Sequence, residues 1–476
     1  MHDLRRQALS SGKTVSRKAM SREASRTTSR ASSAHNSPSS SRNASRQPSD
    51  DDDIGSQSDD TAWSTASLDD LADNPDSGNE QWAEELADRI QEILDRKRSS
   101  VQGREEALSA YCRLLKYHFA AEEIRGNISD LLAAFSRSVK YESSVRETTL
   151  ALRAIELLTV TSLDETIYEN VEPLLTRTIR DSTSNSVKAA AIHCLGTCTF
   201  FGGAGEDGHL EQMTFFLDIV ASDGQSIGAI DDATSVTAAL QEWGFLATEI
   251  EDLEEESEEA VSIFIDQLGS SEPGVQIAAG ENIALLYEKS YTPQEDDDDE
   301  EEDSQSDSGL PSNDNNDNVD EPKLVKRYNA YHNTPELERQ LQSLASVSSK
   351  RINKKDRKSL HNNFTSILTT VENPRRGPMY STAIDQDTNR HYGSKRTIKI
   401  GREGIMSIDR WWKWIRLATL RRIFQGGFTE HYYQGNRAVL DSLPVIMRVT
   451  TQLERHSTKR TNKDRGRLRT WEAEEE

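Results

Sequence analysis

The residues best equipped for chemistry in this chain are its cations. Lys350, Arg351, Lys354, Lys355, Arg357 and Lys358 fall within nine residues. Arg416, Arg421 and Arg422 form a second cluster beside Trp411, Trp412 and Trp414. Lys459, Arg460, Lys463, Arg465, Arg467 and Arg469 form a third, in the stretch RHSTKRTNKDRGRLR. Cations at this density neutralise phosphates and release counterions, which confers affinity without sequence specificity. Tryptophan adds a face on which unpaired bases stack. Three readings of the clusters stand side by side: contact with RNA or the ribosome, a nuclear import signal at Lys354-Lys355-Asp356-Arg357, or a solvated face. RNA contact is the expectation, because three separated clusters exceed what import requires. Trp411 and Trp414 are at helical spacing and are expected in a core rather than as base platforms.

No other constellation points to catalysis or to a bound group. Gly203-Ala-Gly205-Glu-Asp-Gly208 fits the dinucleotide-binding spacing, but that turn must follow a strand. Here it follows a helical pattern, and Glu206 and Asp207 would repel a pyrophosphate, so it reads as a loop between repeats. Cys194 and Cys198 beside His193 have no second ligand pair for zinc, and one turn apart they read as small buried apolar residues. No phosphate loop, no Gly-x-Ser-x-Gly and no His-Glu-x-x-His occurs. The carboxylates lie in solvated runs, so no two pair as acid and base. The sequence therefore predicts no enzyme activity, no cofactor, no metal and no small-molecule substrate.

The first 49 residues hold 14 Ser, 10 Lys/Arg and almost nothing to bury. Arg-x-x-Ser recurs at Ser25, Ser29, Ser33, Ser45 and Ser49. Such spacing suits an acidic kinase cleft, and each phosphate would add roughly −1.5 to −2 charge. Regulated phosphorylation and a merely solvated Arg/Ser tail are both compatible with it.

The elements that must position the cations emerge from composition. Of 476 residues only 34% are hydrophobic, well below the share usual in globular chains. Mean hydropathy is −0.74. A large share of such a chain is expected to be disordered. No spanning segment and no apolar leader is legible, and three cysteines are too few for a disulfide framework, so a reducing, intracellular setting is expected. The net charge of −24 hides a sharp polarity. By segment it runs +8 over 1–49, −15 over 50–95, −18 over 96–294, −14 over 295–322 and +15 over 323–476.

From Trp82 to about Ser290 apolar residues recur at three and four, as in Trp82, Leu86, Ile90 and Ile93. This stretch repeats. Segments opening at Val101, Val145, Val187, Val236 and Val275 share a register, each a helix pair's length from the next. Ten positions on stand Tyr111, Ile155, Thr197, Leu246 and Leu285. The Val-Arg or Val-Lys opening resembles HEAT and armadillo repeats, in which helix pairs stack into one continuous core. An irregular helical bundle is the alternative. The expected fold class is all-α: an armadillo/HEAT-like helical solenoid followed by a small basic helical C-terminal domain. A solenoid supplies extended surface rather than a cleft, and the acidic run 251–259 suits it to basic protein partners.

The implied organisation is a disordered head and acidic linker (1–80), the repeat domain (81–292), an acidic linker (293–322) and a basic helical continuation (323–372). An irregular linker (373–403), a C-terminal domain (404–450) and a tail (451–476) complete it. Thr334-Pro335-Glu336 opens a helix with Leu337, Leu341 and Leu344. A second carries Leu360, Phe364, Ile367 and Val371. A short strand is expected at Thr397–Ile400, a helix stop at Gly426-Gly427, and one helix from Thr429 to Leu440.

Three passages together resemble the interferon-related developmental regulator family in a fungal form. They are GVQIAAGENIALLYE (274–288), KKDRKSLHNNFTSILTTVEN (354–373) and GIMSIDRWWKWIRLATLRRIFQGGFTEHYYQGN (404–436). The likeness covers roughly 82–450, while the Arg/Ser head and the acidic insert lie outside it. It implies an armadillo-type helical domain, a short C-terminal domain and a non-enzymatic role in regulating gene expression. That role is translational repression on the ribosome or transcriptional co-regulation. The first is expected, with rRNA held by the basic C-terminal region and proteins held by the acidic solenoid. The location would be cytoplasmic, with a nuclear alternative.

Overall fold

Several helices begin on side-chain caps. In this computed structural model, which describes residues 81–96, 99–293, 324–346, 354–384, 391–394, 396–400, 404–443 and 446–447, the hydroxyls of Ser100 and Ser144 and the carboxylate of Asp232 each accept a backbone N–H three residues on. Ser25, Ser29, Ser33, Ser45, Ser49, Lys350, Arg351 and the cations from Lys459 to Arg469 lie outside the described residues, as does most of the acidic insert.

Ten helices form five antiparallel pairs. They are α1 (Gln81–Leu94) with α2 (Val101–Tyr117), α3 (Ile128–Tyr141) with α4 (Val145–Ser162), and α5 (Ile167–Asp181) with α6 (Asn185–Phe201). Then come α7 (Gly205–Ala221) with α8 (Ala233–Ala247), and α9 (Glu254–Gln267) with α10 (Pro273–Lys289). The second helix of each pair packs on the second helix of the next, so α2, α4, α6, α8 and α10 make an inner row. The repeat register holds: Tyr111, Ile155, Thr197, Leu246 and Leu285 are all fully buried in that row. A sixth pair, α11 (Thr334–Ala345) and α12 (Lys354–Glu372), continues it, with α12 seated on α10. Its stripe of Leu360, Phe364, Ile367 and Val371 is buried. The valine register stops short of this pair because α12 opens with lysines.

The residue after the opening valine has a structural use. Lys188 Nζ donates to the carbonyls of Ile179 (3.0 Å) and Arg180 (3.1 Å), at the end of α5, and to that of Ile227. Gln276 Nε2 does the same for Leu268 (3.0 Å) and Ser270 (2.8 Å), after α9. Both supply partners for carbonyls that a helix end leaves unsatisfied. Between α6 and α7 the glycine-rich segment is a helix-to-helix turn. Gly203 has φ +89°, and a Cβ there would meet the Glu165 carbonyl oxygen at 2.2 Å. The dinucleotide reading has no strand to stand on.

Strands are short. β1 (Tyr291–Pro293) pairs antiparallel with β2 (Leu324–Lys326), and β3 (Tyr380–Ile384) with β4 (His391–Ser394). β5 (Arg396–Ile400), β6 (Gly404–Ile408) and β7 (Ile446–Met447) form a three-stranded sheet. The segment read as irregular therefore holds two strands beyond the expected one. The last helices are α13 (Trp411–Phe424), α14 (Phe428–Tyr433) and α15 (Arg437–Ser442). The single helix expected from Thr429 to Leu440 is broken, because Gly435 takes φ +81° and Asn436 caps a new start.

Candidate functional site

The free face of the inner row is not open. Helix α13 lies along it and runs back against the order of the repeats, meeting α10 and α8 first and reaching α4 and α2 at its far end. Trp411, Trp414, Ile415, Leu417, Leu420, Ile423 and Phe424 are buried there. The occupant of this face is a segment of the chain itself. The passage read as a separate C-terminal domain supplies the strut of the groove.

Both ends of α13 are held by charge of the right sign. At its start, the Glu288 carboxylate on α10 accepts the N–H of Trp411 (2.8 Å) and of Trp412 (3.3 Å). At its end, Arg153 Nη2 on α4 donates to the carbonyls of Arg422 (2.7 Å) and Ile423. An anion at the positive end and a cation at the negative end both stabilise a helix. Along the length, Trp414 Nε1 donates to Glu281 (2.9 Å) and Trp411 Nε1 to Thr370 (2.7 Å).

The centre of the groove is a buried ionic network. Arg422 Nη1 meets Glu156 Oε1 at 2.5 Å, and its Nη2 meets Glu242 Oε1 at 3.0 Å. Thr197 donates its hydroxyl to Glu156 (3.2 Å) and accepts from Arg422 (3.2 Å). Arg153 pairs with the other Glu156 oxygen at 3.0 Å. Two guanidinium groups thus balance two carboxylates. Burial pushes the Glu156 carboxyl up, but Arg422 and then Arg153 outweigh it and hold it at about 2. Burial and the Arg422 charge hold His193 below its usual range, and its neutral ring donates from Nδ1 to Glu242 at 2.6 Å. Gly196 on α6 makes the room: a Cβ there would stand 2.2 Å from Glu242 Oε2. The network holds a helix in place. It presents no nucleophile with a base, and no metal-holding cluster occurs among the described residues. Cys194 and Cys198 are fully buried, as their spacing on α6 predicts.

Beyond Phe424 the chain hooks over α2. His431 is fully buried, with Nε2 facing the carbonyls of Leu115 (2.9 Å) and Lys116 (3.1 Å). Nε2 therefore carries the proton, and Nδ1 accepts from Asn436 Nδ2 (3.1 Å). Burial lowers this imidazole to about 4. Free histidine titrates near 6.5, so between about 6.5 and 4 the unfolded chain binds a proton that the folded chain does not. The stability His431 contributes is complete above that window and is lost as pH falls through it. Glu288 opposes this, since burial raises it to about 7 and acidification first protonates the folded state. A difference isolates the histidine. In urea unfolding, His431→Gln is expected to lose less stability than the parent chain between about pH 7 and 5. Equal slopes would show an ordinary imidazole.

The structure separates the cations that sequence had grouped as an RNA face. Arg422 is committed to Glu156 and Glu242. Arg416 is only 12% exposed in its side chain and meets Glu249 at 2.6 Å and Thr248 Oγ1 at 2.9 Å. Its guanidinium lies 5.2 Å from the ring centres of both Phe200 and Trp412. These two arginines are corrected from phosphate contacts to contacts within the groove, because the chain's own carboxylates already hold their donors. Arg421 is half-buried in the last turn of the same helix. Trp411 and Trp414 are core, as expected, and Trp412 is half-buried. The lysines at 354 and 355 open α12, followed by half-buried Arg357 and exposed Lys358. That turn is at the opposite end of α12 from Thr370, where α13 begins. Sequence reading missed Glu156, Glu242, Arg153 and Glu288. One signal was Thr197, the polar exception in the repeat register.

A family model described as interferon-related developmental regulator matches residues 51–372. An uncharacterized protein of Schizosaccharomyces pombe is 26% identical over 357 residues, which are 75% of this chain and 73% of that protein. The match to the family model covers more than half of the chain and ends with α12, short of the helix that fills the groove.

Proposed function

Because the chain belongs to the interferon-related developmental regulator family, whose role is the regulation of gene expression, we propose that it is a non-enzymatic helical-repeat scaffold that associates with ribosomes and restrains translation. The observation that carries this reading is the division of labour among the cations. Those of α13 neutralise the inner carboxylates and close the groove. Lys358, exposed in the first turns of α12, stands apart from that network and is available to phosphate. The basic stretch 455–469 adds seven Lys/Arg with no apolar stripe, a composition that orders on a polyanion rather than by burial. Acidic Glu254, Glu255 and Glu256, at the start of α9, suit basic protein segments.

A second reading is a nuclear co-regulator, favoured by the import-type run Lys354-Lys355-Asp356-Arg357 and the acidic outer helices. Sedimentation of cell lysate through sucrose at low and high salt separates the two. Co-migration with ribosomal particles that is lost as salt rises supports the ribosome reading. Migration at the top of the gradient under both conditions favours the nuclear one. Removing residues 455–476 is expected to weaken the co-migration and flatten its salt dependence. Undiminished co-migration would take the tail out of the interface.

A further inference from the structure

We propose that the basic tail, residues 455–469, docks on an acidic corner of its own chain between α8 and α9, beside Tyr328. The corner is the run 251–259, which holds seven carboxylates in nine residues. Glu251, Asp252, Glu254 and Glu255 are exposed, and Glu256 is half-buried. None of these five is paired with a cation among the described residues. The cations close by are turned elsewhere, Arg416 to Glu249 at 2.6 Å and Lys289 to the Ile250 carbonyl. No three acids converge to hold a metal ion among the described residues, so the corner suits charges spaced along a chain. Tyr328, just after β2, is 7% exposed, and its hydroxyl has no hydrogen-bond partner among the described residues. Burial, and then the charges of Asp252, Glu254 and Glu256, hold this phenol well above its usual range. The hydroxyl thus stands in the field of three carboxylates and bonds none of them. Leaving it unpaired costs free energy. A lysine or arginine entering the corner gives the phenol oxygen a donor and neutralises the carboxylates around it.

The tail is the occupant because of its charge and of where the chain leaves the fold. Residues 455–469 carry seven Lys/Arg against one Asp. Arg416 Nη1 reaches the Ser442 carbonyl at 3.5 Å, while Nη2 of the same guanidinium holds Glu249. The chain therefore sets out toward its tail one guanidinium away from the corner. Thirteen residues lead from Ser442 to Arg455, a reach of up to about 45 Å when extended. The basic head, by contrast, joins the row at α1, four pairs away from α9. A tether this short raises the local concentration of the tail to about the millimolar range. The same cations serve RNA phosphate, so a docked tail is withheld from the ribosome until a polyanion displaces it. That consequence rests on the ribosome reading, whereas the docking does not.

The test is carbodiimide crosslinking of the purified full chain without ribosomes, mapped by mass spectrometry. The reagent joins a lysine amine to a carboxylate only where the two touch. Lys459 or Lys463 is expected to join carboxylates of 251–256 within one chain. The yield should not depend on protein concentration and should fall as salt rises. Tyr328→Phe keeps every carboxylate and removes a hydroxyl that bonds nothing in the described fold. It is expected to lower the salt concentration at which half the crosslink is lost. An unmoved midpoint overturns the part given to Tyr328. No crosslink from the tail at low salt, crosslinks only to other carboxylates or between two chains, or Lys13 or Lys18 of the head in the tail's place would each overturn the docking. Because no ribosome is present, a missing crosslink leaves the sedimentation result standing, and migration at the top of the gradient leaves the crosslink standing.

Discussion

Arg422→Leu unfolds at a lower urea concentration than the parent chain, with a loss of about 3–5 kcal/mol, the range expected when one partner of a buried ion pair is removed. The reason lies in what stays behind. Glu156 and Glu242 are both buried, and without the guanidinium each faces a low-dielectric interior with too few donors. Arg153 still serves Glu156, so Glu242, with only His193 left, carries the larger share. Adding Glu242→Gln to Arg422→Leu should therefore recover part of the loss, because an uncharged amide costs less to bury. Adding Glu156→Gln should recover less. A drop below about 1 kcal/mol for Arg422→Leu would mean that water reaches the network and that α13 is held by its apolar face alone.

The two halves of this architecture differ in how openly the sequence declares them. The solenoid is legible because each helix pair packs mainly on its neighbours, so the same register recurs and the buried positions line up from Tyr111 to Leu285. The sixth pair slipped that register, since α12 opens with Lys354 and Lys355 where a valine was sought. The partners in the groove were not legible. Arg422 is 266 positions from Glu156 and 180 from Glu242, and nothing local tells such an arginine from one that faces solvent. The acidic and basic halves of the chain were evident as net charge. Charge balance says that they attract one another, but it does not say through which side chains. Two glycines were the missed clue. Gly196 and Gly244 sit inside helices of the inner row, and a Cβ at either would stand 2.2 Å from Glu242 or 2.1 Å from Asn282. A glycine inside a helix costs about 1 kcal/mol relative to alanine, and its presence there points to a bulky buried polar neighbour.

Trp411→Ala is expected to cost about 3–5 kcal/mol, because it empties a large volume in a close-packed place. Trp411 is 2% exposed, and its indole N–H is the donor to Thr370, whose own hydroxyl goes on to the Arg376 carbonyl at 2.6 Å. One side chain thus links α13 to α12, while its backbone N–H links α13 to Glu288 on α10. Trp411→Phe keeps most of the bulk and loses only the hydrogen bond, so a cost of about 1 kcal/mol is expected. Trp412→Ala, at a half-buried position, should fall well short of Trp411→Ala, and that contrast separates a core role from mere proximity in sequence. The combination with Arg422→Leu is the sharper measurement. The two positions stand near opposite ends of α13, beyond the range at which neighbours couple directly. If α13 seats as one rigid strut between Glu288 and Arg153, either change alone loosens the whole helix. The double variant must then cost less than the sum of the singles. Additive losses would show that the two ends grip the repeats independently, and the groove would then be two sites joined by a helix.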